Sequence, residues 1–339
     1  MKAIGFHSFG APEVLQLTDA AHPEVRPNDL LVRNYAAGVN RADIIQRHGG
    51  YGRAYFGDSD VMGLEIAGEV IGIGSQVQGF RPGDRVMGIV GGGGYAELVR
   101  IDHRMAMPVP KRFPYAEAAA IPEVFVTAHE ALFHLAALQA GERVLIHAAA
   151  SGVGTAAVQL AAAAGAKVFV TASGGKLPQL RDLGADVLID YKRQDFSSAV
   201  TEATGGEGVN VIVDFVGAPY FERNIHALAN GGRLIQVGML GGSTDARVPL
   251  ERILYGHLKV MGTVMKSRTP DEKRAMIRRF RDRWLARFED GSIRPVIDSV
   301  FPLAKLARRI AGWNPMRAWA KSSWTSAMGL SERVAAMRK

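Results

Sequence analysis

From Val124 onward, short apolar runs rich in β-branched residues alternate with segments of helix formers. The runs fall at 143–147, 167–171, 186–189, 209–214, 232–237 and 258–264 and read as six strands. Strands separated by helical crossovers predict a doubly wound parallel sheet, because a parallel neighbour is reached only through a crossover that packs on a sheet face. The sharpest change of period lies in RVLIHAAASGVGTAAVQLAAAAG, residues 143–165. There a β-capable run, Arg143–His147, gives way to a turn, Ala148–Gly154, and then to helix formers from Val153 to Ala164, which predicts a βα unit.

Residues 1–122 have a different texture. Runs such as Leu30–Asn34, Glu69–Ile73 and Arg85–Ile89 are separated by turns marked by Pro or Gly, as in a β-rich, partly barrel-like domain. In GLEIAGEVIGIGSQVQGFRPGDRVMG, residues 63–88, the glycines Gly68, Gly72, Gly74, Gly79 and Gly83 are expected at bends between strands. The run Gly91–Gly94 imitates a phosphate loop, but only the strand-like YAELVRI follows, so a flexible turn is expected. Residues 266–291 place Met276, Phe280, Trp284 and Phe288 four apart, an apolar stripe beneath the basic face of an amphipathic helix. Ser292–Leu303 offers one further strand.

In a doubly wound sheet the ligand crevice lies outside the carboxyl ends of the strands. That directs attention to Ala148–Gly154, Ala172–Lys176, Phe215–Gly217 and Gly238–Gly242. In the first of these, Ser151, Gly152, Val153 and Gly154 stand where a bare backbone lets a pyrophosphate approach the free N–H groups of a helix N-terminus. Val216, Gly217, Met239 and Leu240 are the corresponding candidates after the later strands. About 20 residues beyond the glycine turn, where an NAD site usually carries an acid, the chain reads Thr171-Ala172-Ser173-Gly174-Gly175-Lys176. That loop contains no carboxylate. Ser173 can donate a hydrogen bond and Lys176 brings a cation to a helix start, a position the helix dipole disfavours unless an anion is present. NADPH is the expected cofactor.

Composition narrows the class. The 339 residues, 47% apolar and 22% charged, suit a globular protein of two ordinary domains. There is no cysteine, which excludes disulfides and thiolate metal sites. No signal-peptide core or membrane-length apolar run is visible, so a cytoplasmic home is expected. The net charge of +8 is concentrated in residues 305–339, where eight Lys or Arg face the single acid Glu332, which leaves +1 for the remainder. Charge so localised describes the tail and does not mark a nucleic-acid-binding face. Ser151 lacks the leading glycine of a nucleophile elbow, and none of the nine His forms an H-x-x-x-H pair.

The stretches NRADIIQRHGGY (40–51), GLEIAGEV (63–70), AAAIPEVFVTAHEAL (118–132) and VLIHAAASGVGTAAVQLA (144–161) together resemble the zinc-independent quinone oxidoreductases of the zeta-crystallin type. These belong to the medium-chain dehydrogenase/reductase superfamily, and the resemblance runs from residue 1 to about residue 304. It implies a GroES-like catalytic domain (1–122 and 267–339) and a Rossmann NADPH-binding domain (123–266), with hydride transfer at a cleft between them. It implies that Asn40 and Thr127 lie near the nicotinamide end and that Tyr51 flanks the acceptor pocket. Tyr191 and Arg193 become adenosine-side contacts. It also implies a homodimer, with 258–264 as the sheet edge that pairs across the two-fold. Zinc-dependent relatives carry Gly-His-Glu and cysteines, whereas this chain has Leu64 between Gly63 and Glu65, so no metal is expected.

After about Ala304 the resemblance stops. The family closes with a Gly-Lys and an apolar strand, whereas this chain has GWNPMRAWAKSSWTSAMGLSERVAAMRK and no apolar strand. Because Trp has one codon, reading one base earlier forces Glu, Gly and Asp after Trp313, Trp319 and Trp324, which fits the missing ending. The tail therefore reads as a frameshift product beginning near Lys305, expected to be partly unfolded or irregular. Sequencing the gene tests this. The expected function is NADPH-dependent reduction of small, ortho-type quinones without a metal. Its rivals are an enoyl or 2-alkenal reductase and an inactive protein that keeps NADPH as a bound ligand or binds RNA.

Overall fold

The computed structural model describes residues 1–50, 59, 61–306 and, as backbone, 321–325. The chain divides into two compact units, Met1–Val126 with Arg268–Lys339, and Thr127–Ser267.

The first unit opens with an antiparallel hairpin of β1 (Lys2–Gly5) and β2 (Gln16–Asp19). There follow β3 (Asp29–Val39), α1 (Arg41–Arg47), β4 (Glu65–Ile73), β5 (Arg85–Ile89), β6 (Leu98–Asp102), β7 (Ala106–Pro108) and α2 (Tyr115–Ala118). Alternate positions of the long strands point one way: Leu30 and Val32 of β3 pack with Ile66 and Val70 of β4 and Val99 and Ile101 of β6. Gly74, Gly79 and Gly83 lie between β4 and β5 as expected. Gly68 and Gly72 do not lie at bends; both are inside β4. At Gly68 the strand passes so close to β3 that a Cβ would collide with the Arg33 carbonyl, beside a register shift between Asn34 and Ala36. Close approach, rather than turning, accounts for that glycine. Gly92 and Gly93 take φ of +114° and +86° in the turn before β6.

Helix α3 (Pro122–His129) carries the chain onward to the second unit. That unit holds β8 (Arg143–Ile146), α4 (Gly152–Ala163), β9 (Lys167–Ala172), α5 (Leu177–Asp182), β10 (Val187–Asp190), α6 (Phe196–Ala203) and β11 (Val209–Asp214). It continues with α7 (Ala218–Ala227), β12 (Leu228–Gln236), α8 (Leu250–Tyr255) and β13 (Lys259–Gly262). All six strands are parallel, in the order β10-β9-β8-β11-β12-β13. This is the doubly wound sheet that the apolar runs predict, with the order reversing between β8 and β11. Leu145, Phe169, Ile212 and Leu234, one from each central strand, fill its core with Phe196 and Ile225 of the covering helices.

The chain ends in the first unit with α9 (Pro270–Glu289), β14 (Ile297–Pro302) and β15 (Lys321–Thr325). Thr269 starts α9: its Oγ1 accepts from the Glu272 N–H at 3.3 Å, and the Glu272 carboxylate accepts from the Thr269 N–H at 2.8 Å. Met276, Phe280, Trp284 and Phe288 are all buried, and Phe288 meets Phe125 edge-on at 4.9 Å. The tail is expected to be partly unfolded or irregular, without an apolar strand, yet Lys321–Thr325 form a regular strand. β15 runs parallel to β14 and antiparallel to β3, with Ser323 opposite both Val300 and Gly38. Ladder bonds belong to the backbone, so a Ser- and Thr-bearing stretch without Pro can fill a strand position that apolar residues are expected to take.

Candidate functional site

Four adjacent strand ends, those of β9, β8, β11 and β12, define the site in the second unit. After β8 the chain turns through Ala148, whose φ is +45°. Ser151 then caps α4, its Oγ accepting from the Gly154 N–H at 3.1 Å. Gly154 is required by space, since a Cβ there would lie 2.6 Å from the carbonyl oxygens of Ala148 and Ala149. The N–H groups of Gly152 and Val153 find no acceptor among the described residues. Two free donors at the positive end of a 12-residue helix suit a pyrophosphate.

After β9, Ser173 leads into a single 3-10 turn, Gly174–Lys176, and half-buried Lys176 begins α5. The Tyr191 N–H donates to the Ala172 carbonyl at 3.3 Å, which places Tyr191 beside this loop. Arg193 is 86% exposed and reaches back toward Asp190. Here the structure adds a group that the loop sequence does not show. Asp190 pairs in register with Ala172, and its Oδ2 would lie 2.6 Å from a Cβ on Gly174. A carboxylate does therefore stand next to the Ser173–Lys176 loop, contributed by the neighbouring strand. Its Oδ1 accepts from the Lys192 N–H at 3.1 Å.

The loops after β11 and β12 are knitted together. The Leu240 N–H donates to the Phe215 carbonyl at 2.9 Å and the Gly241 N–H to Val216 at 2.8 Å. Gly217 takes φ of +92°, and a Cβ on it would lie 2.5 Å from the Gly242 carbonyl. Val216 is half-buried and Met239 is 61% exposed.

Beneath these loops lies a buried polar chain that the sequence does not single out. Asp214, the last residue of β11, accepts from the Val216 N–H at 2.6 Å and the Gly217 N–H at 3.2 Å. Asn224 of α7 donates to Asp214 Oδ2 at 3.1 Å, which leaves Asn224 Oδ1 facing His147 Nε2 at 2.7 Å. The network thus assigns the proton of His147 to Nε2, and Nδ1 accepts from the Thr171 hydroxyl at 2.9 Å. Burial pushes Asp214 up to about 6 against these hydrogen bonds, and burial holds His147 down to about 4. The only trace in the sequence is that an acid and an imidazole close two apolar strands.

Asn40 belongs to the first unit, where its Nδ2 donates to Glu65 Oε1 at 2.8 Å and its N–H to Asp43 Oδ2 at 2.7 Å. Glu65, wholly buried, also accepts from the Glu123 N–H at 2.9 Å. Thr127 is half-buried on α3 at the start of the second unit. Tyr51 lies outside the described residues.

Residues 26–111 match the alcohol dehydrogenase GroES-like domain and residues 152–282 the zinc-binding dehydrogenase family. A GroES-like domain joined to a doubly wound sheet with a glycine-lined crevice defines a medium-chain dehydrogenase/reductase, an oxidoreductase that takes a nicotinamide cofactor. The chain is 33% identical over 316 residues to quinone oxidoreductase of Rattus norvegicus, covering 91% of this chain and 92% of that one. The crystal structure of Escherichia coli quinone oxidoreductase complexed with NADPH superposes with a TM-score of 0.85 at 27% identity, covering 96% of this chain and all of that one. CurK enoyl reductase superposes with a TM-score of 0.83 at 25% identity, covering 96% and 99%. The chain belongs to the quinone oxidoreductase family of the medium-chain dehydrogenase/reductases.

Proposed function

We propose that this protein reduces small quinones, ortho-quinones foremost, with NADPH and without a metal. The observation that carries the reading is the crevice at the ends of β8, β9, β11 and β12, in a chain 33% identical to a quinone oxidoreductase along nearly its whole length. NADPH supplies the hydride. The Gly152 and Val153 N–H groups hold the pyrophosphate, with Ser151 fixing the turn and Gly154 letting it close. Ser173 and Lys176 face the 2′-phosphate, and Tyr191 packs at the adenosine. Val216, Gly217, Met239 and Leu240 line the nicotinamide half, with Asn40 and Thr127 at the nicotinamide and Tyr51 at the acceptor. Hydride transfer needs alignment and donors to the oxygen that gains charge, and few ionisable groups.

Metal independence rests on the donor set. The chain has no cysteine, Leu64 stands before Glu65, and the Glu65 carboxylate is occupied by Asn40 and the Glu123 N–H. Among the described residues no helix is long and apolar enough to cross a membrane, and a cytoplasmic location remains part of the proposal. So does a homodimer through the edge strand β13, where Val260 and the α8 residues Leu254 and Tyr255 are exposed. Loss of NADPH absorbance on adding an ortho-quinone tests the activity; NADPH that binds but is not consumed counts against it.

A second reading, reduction of an enoyl thioester or 2-alkenal, is favoured by the likeness to CurK enoyl reductase.

A further inference from the structure

The polar chain under the crevice bonds to the loop after β11, to the start of the loop after β12 and to the end of β9, and all of its members are buried. Asp214 is its centre. The side chain binds the Val216 and Gly217 N–H groups, and the Asp214 main-chain carbonyl accepts from the Val237 N–H at 2.8 Å, where the loop after β12 begins. Through Asn224 and His147 it reaches Thr171, the residue before Ala172 at the end of β9. A carboxylate buried at a strand end, with no cation paired to it among the described residues, is expensive to keep. Several apolar side chains would satisfy the packing at lower cost. What they could not supply is acceptors for two successive N–H groups in a loop that turns through Gly217 at φ +92°.

We propose that Asp214 is the positioning residue of the dinucleotide site, setting the Val216–Gly217 loop and, through it, the Met239–Leu240 loop in a binding-ready form before the cofactor arrives. The inference rests on the proposed cofactor site. The two loops are bound to each other at Phe215–Leu240 and Val216–Gly241, so displacement of one carries the other. The arm through Asn224 and His147 has a lesser task. Asn224 donates to Oδ2, the same carboxylate oxygen that accepts from the Gly217 N–H, and so holds the carboxylate in its rotation, while His147, neutral with its proton on Nε2, orients Asn224. Preformed loops bind more tightly because they have less freedom left to lose on binding.

The test is Asp214→Asn, which keeps the size and turns one acceptor into a donor facing a backbone N–H. NADPH affinity is measured by equilibrium titration, whose dissociation constant does not depend on the fraction of protein that has folded. The proposal expects that constant to rise about tenfold or more, because a buried donor loses its acceptor. Asn224→Ala, which leaves both Asp214–loop bonds in place, is expected to change it by less than about threefold. A folded Asp214→Asn protein with wild-type affinity overturns the proposal, as does an Asn224→Ala effect as large as that of Asp214→Asn.

Should Asp214→Asn fail to fold, amide hydrogen exchange of the cofactor-free wild type decides. Val216 and Gly217 should be protected to the level of β11, while the exposed stretch 243–247 exchanges freely. Free exchange at Val216 and Gly217 overturns the proposal. Wild-type protein that binds neither NADPH nor NADH would instead refute the cofactor site, while the exchange data would still report on the loop.

Discussion

His147 and Asp214 are joined through one amide: Asn224 accepts from His147 at 2.7 Å and donates to Asp214 at 3.1 Å. Both ionisable ends are buried, and burial moves their affinities for protons in opposite directions.

The consequence is a pair of opposed pH effects on stability. His147 titrates at about 4 when folded against 6.5 unfolded, so its contribution is complete above pH 6.5 and falls away as pH drops toward 4. Asp214 titrates at about 6 when folded against 3.8 unfolded, so it weakens the fold above pH 6 and relieves that penalty as pH drops toward 3.8. Between pH 7.5 and 5 the losses and gains nearly offset, leaving a net loss from the pair of under about 1 kcal/mol. Asp214→Asn removes the compensating half, so the variant should lose on the order of 2 kcal/mol over the same interval. Urea unfolding at the two pH values checks the difference; equal losses in both proteins would contradict it.

The proposed preference for NADPH turns on Lys176 and Asp190. Lys176→Ala is expected to weaken NADPH binding by about tenfold, as loss of a charge-assisted hydrogen bond should, and to change NADH binding by less than about twofold. Asp190→Asn removes the carboxylate beside Gly174. It should strengthen NADPH binding by about fivefold, the order expected from removing one repulsion screened by water. Titrations with both dinucleotides check this. Stronger NADH than NADPH binding in the wild type would place control with Asp190.

The contrast between these two residues shows how far sequence carries. Lys176 is legible because it sits in the same turn as Ser173, whereas Asp190 arrives from another strand through parallel register with Ala172. Periodicity gives the six parallel strands and the α9 stripe because burial forces the pattern on adjacent positions. It is silent on His147, Asn224 and Asp214, which the sheet alone brings together. Gly68 was expected at a bend because sequence records the missing side chain but not the Arg33 carbonyl that excludes one.

The tail contributes a strand. Ser323 lies between Val300 and Gly38, so Ser323→Pro removes an N–H from the sheet and should cost about 1–3 kcal/mol of stability. Chemical denaturation measures it. An unchanged midpoint would mean that β15 adds nothing to the first unit and that the tail is dispensable.

Val260 is 44% exposed on β13, which among the described residues pairs only with β12 at the edge of the six-stranded sheet. A charge there should block edge pairing. Light scattering coupled to gel filtration is expected to show a dimer for the wild type and a monomer for Val260→Lys. A monomeric wild type would contradict the assembly.

The most direct measurement is NADPH oxidation by the purified protein with an ortho-quinone and a 2-alkenal as parallel acceptors, compared as kcat/KM. The account predicts faster turnover with the quinone, with no loss of activity after treatment with a metal chelator. Preference for the alkenal, or oxidation of NADPH with neither acceptor, would contradict it.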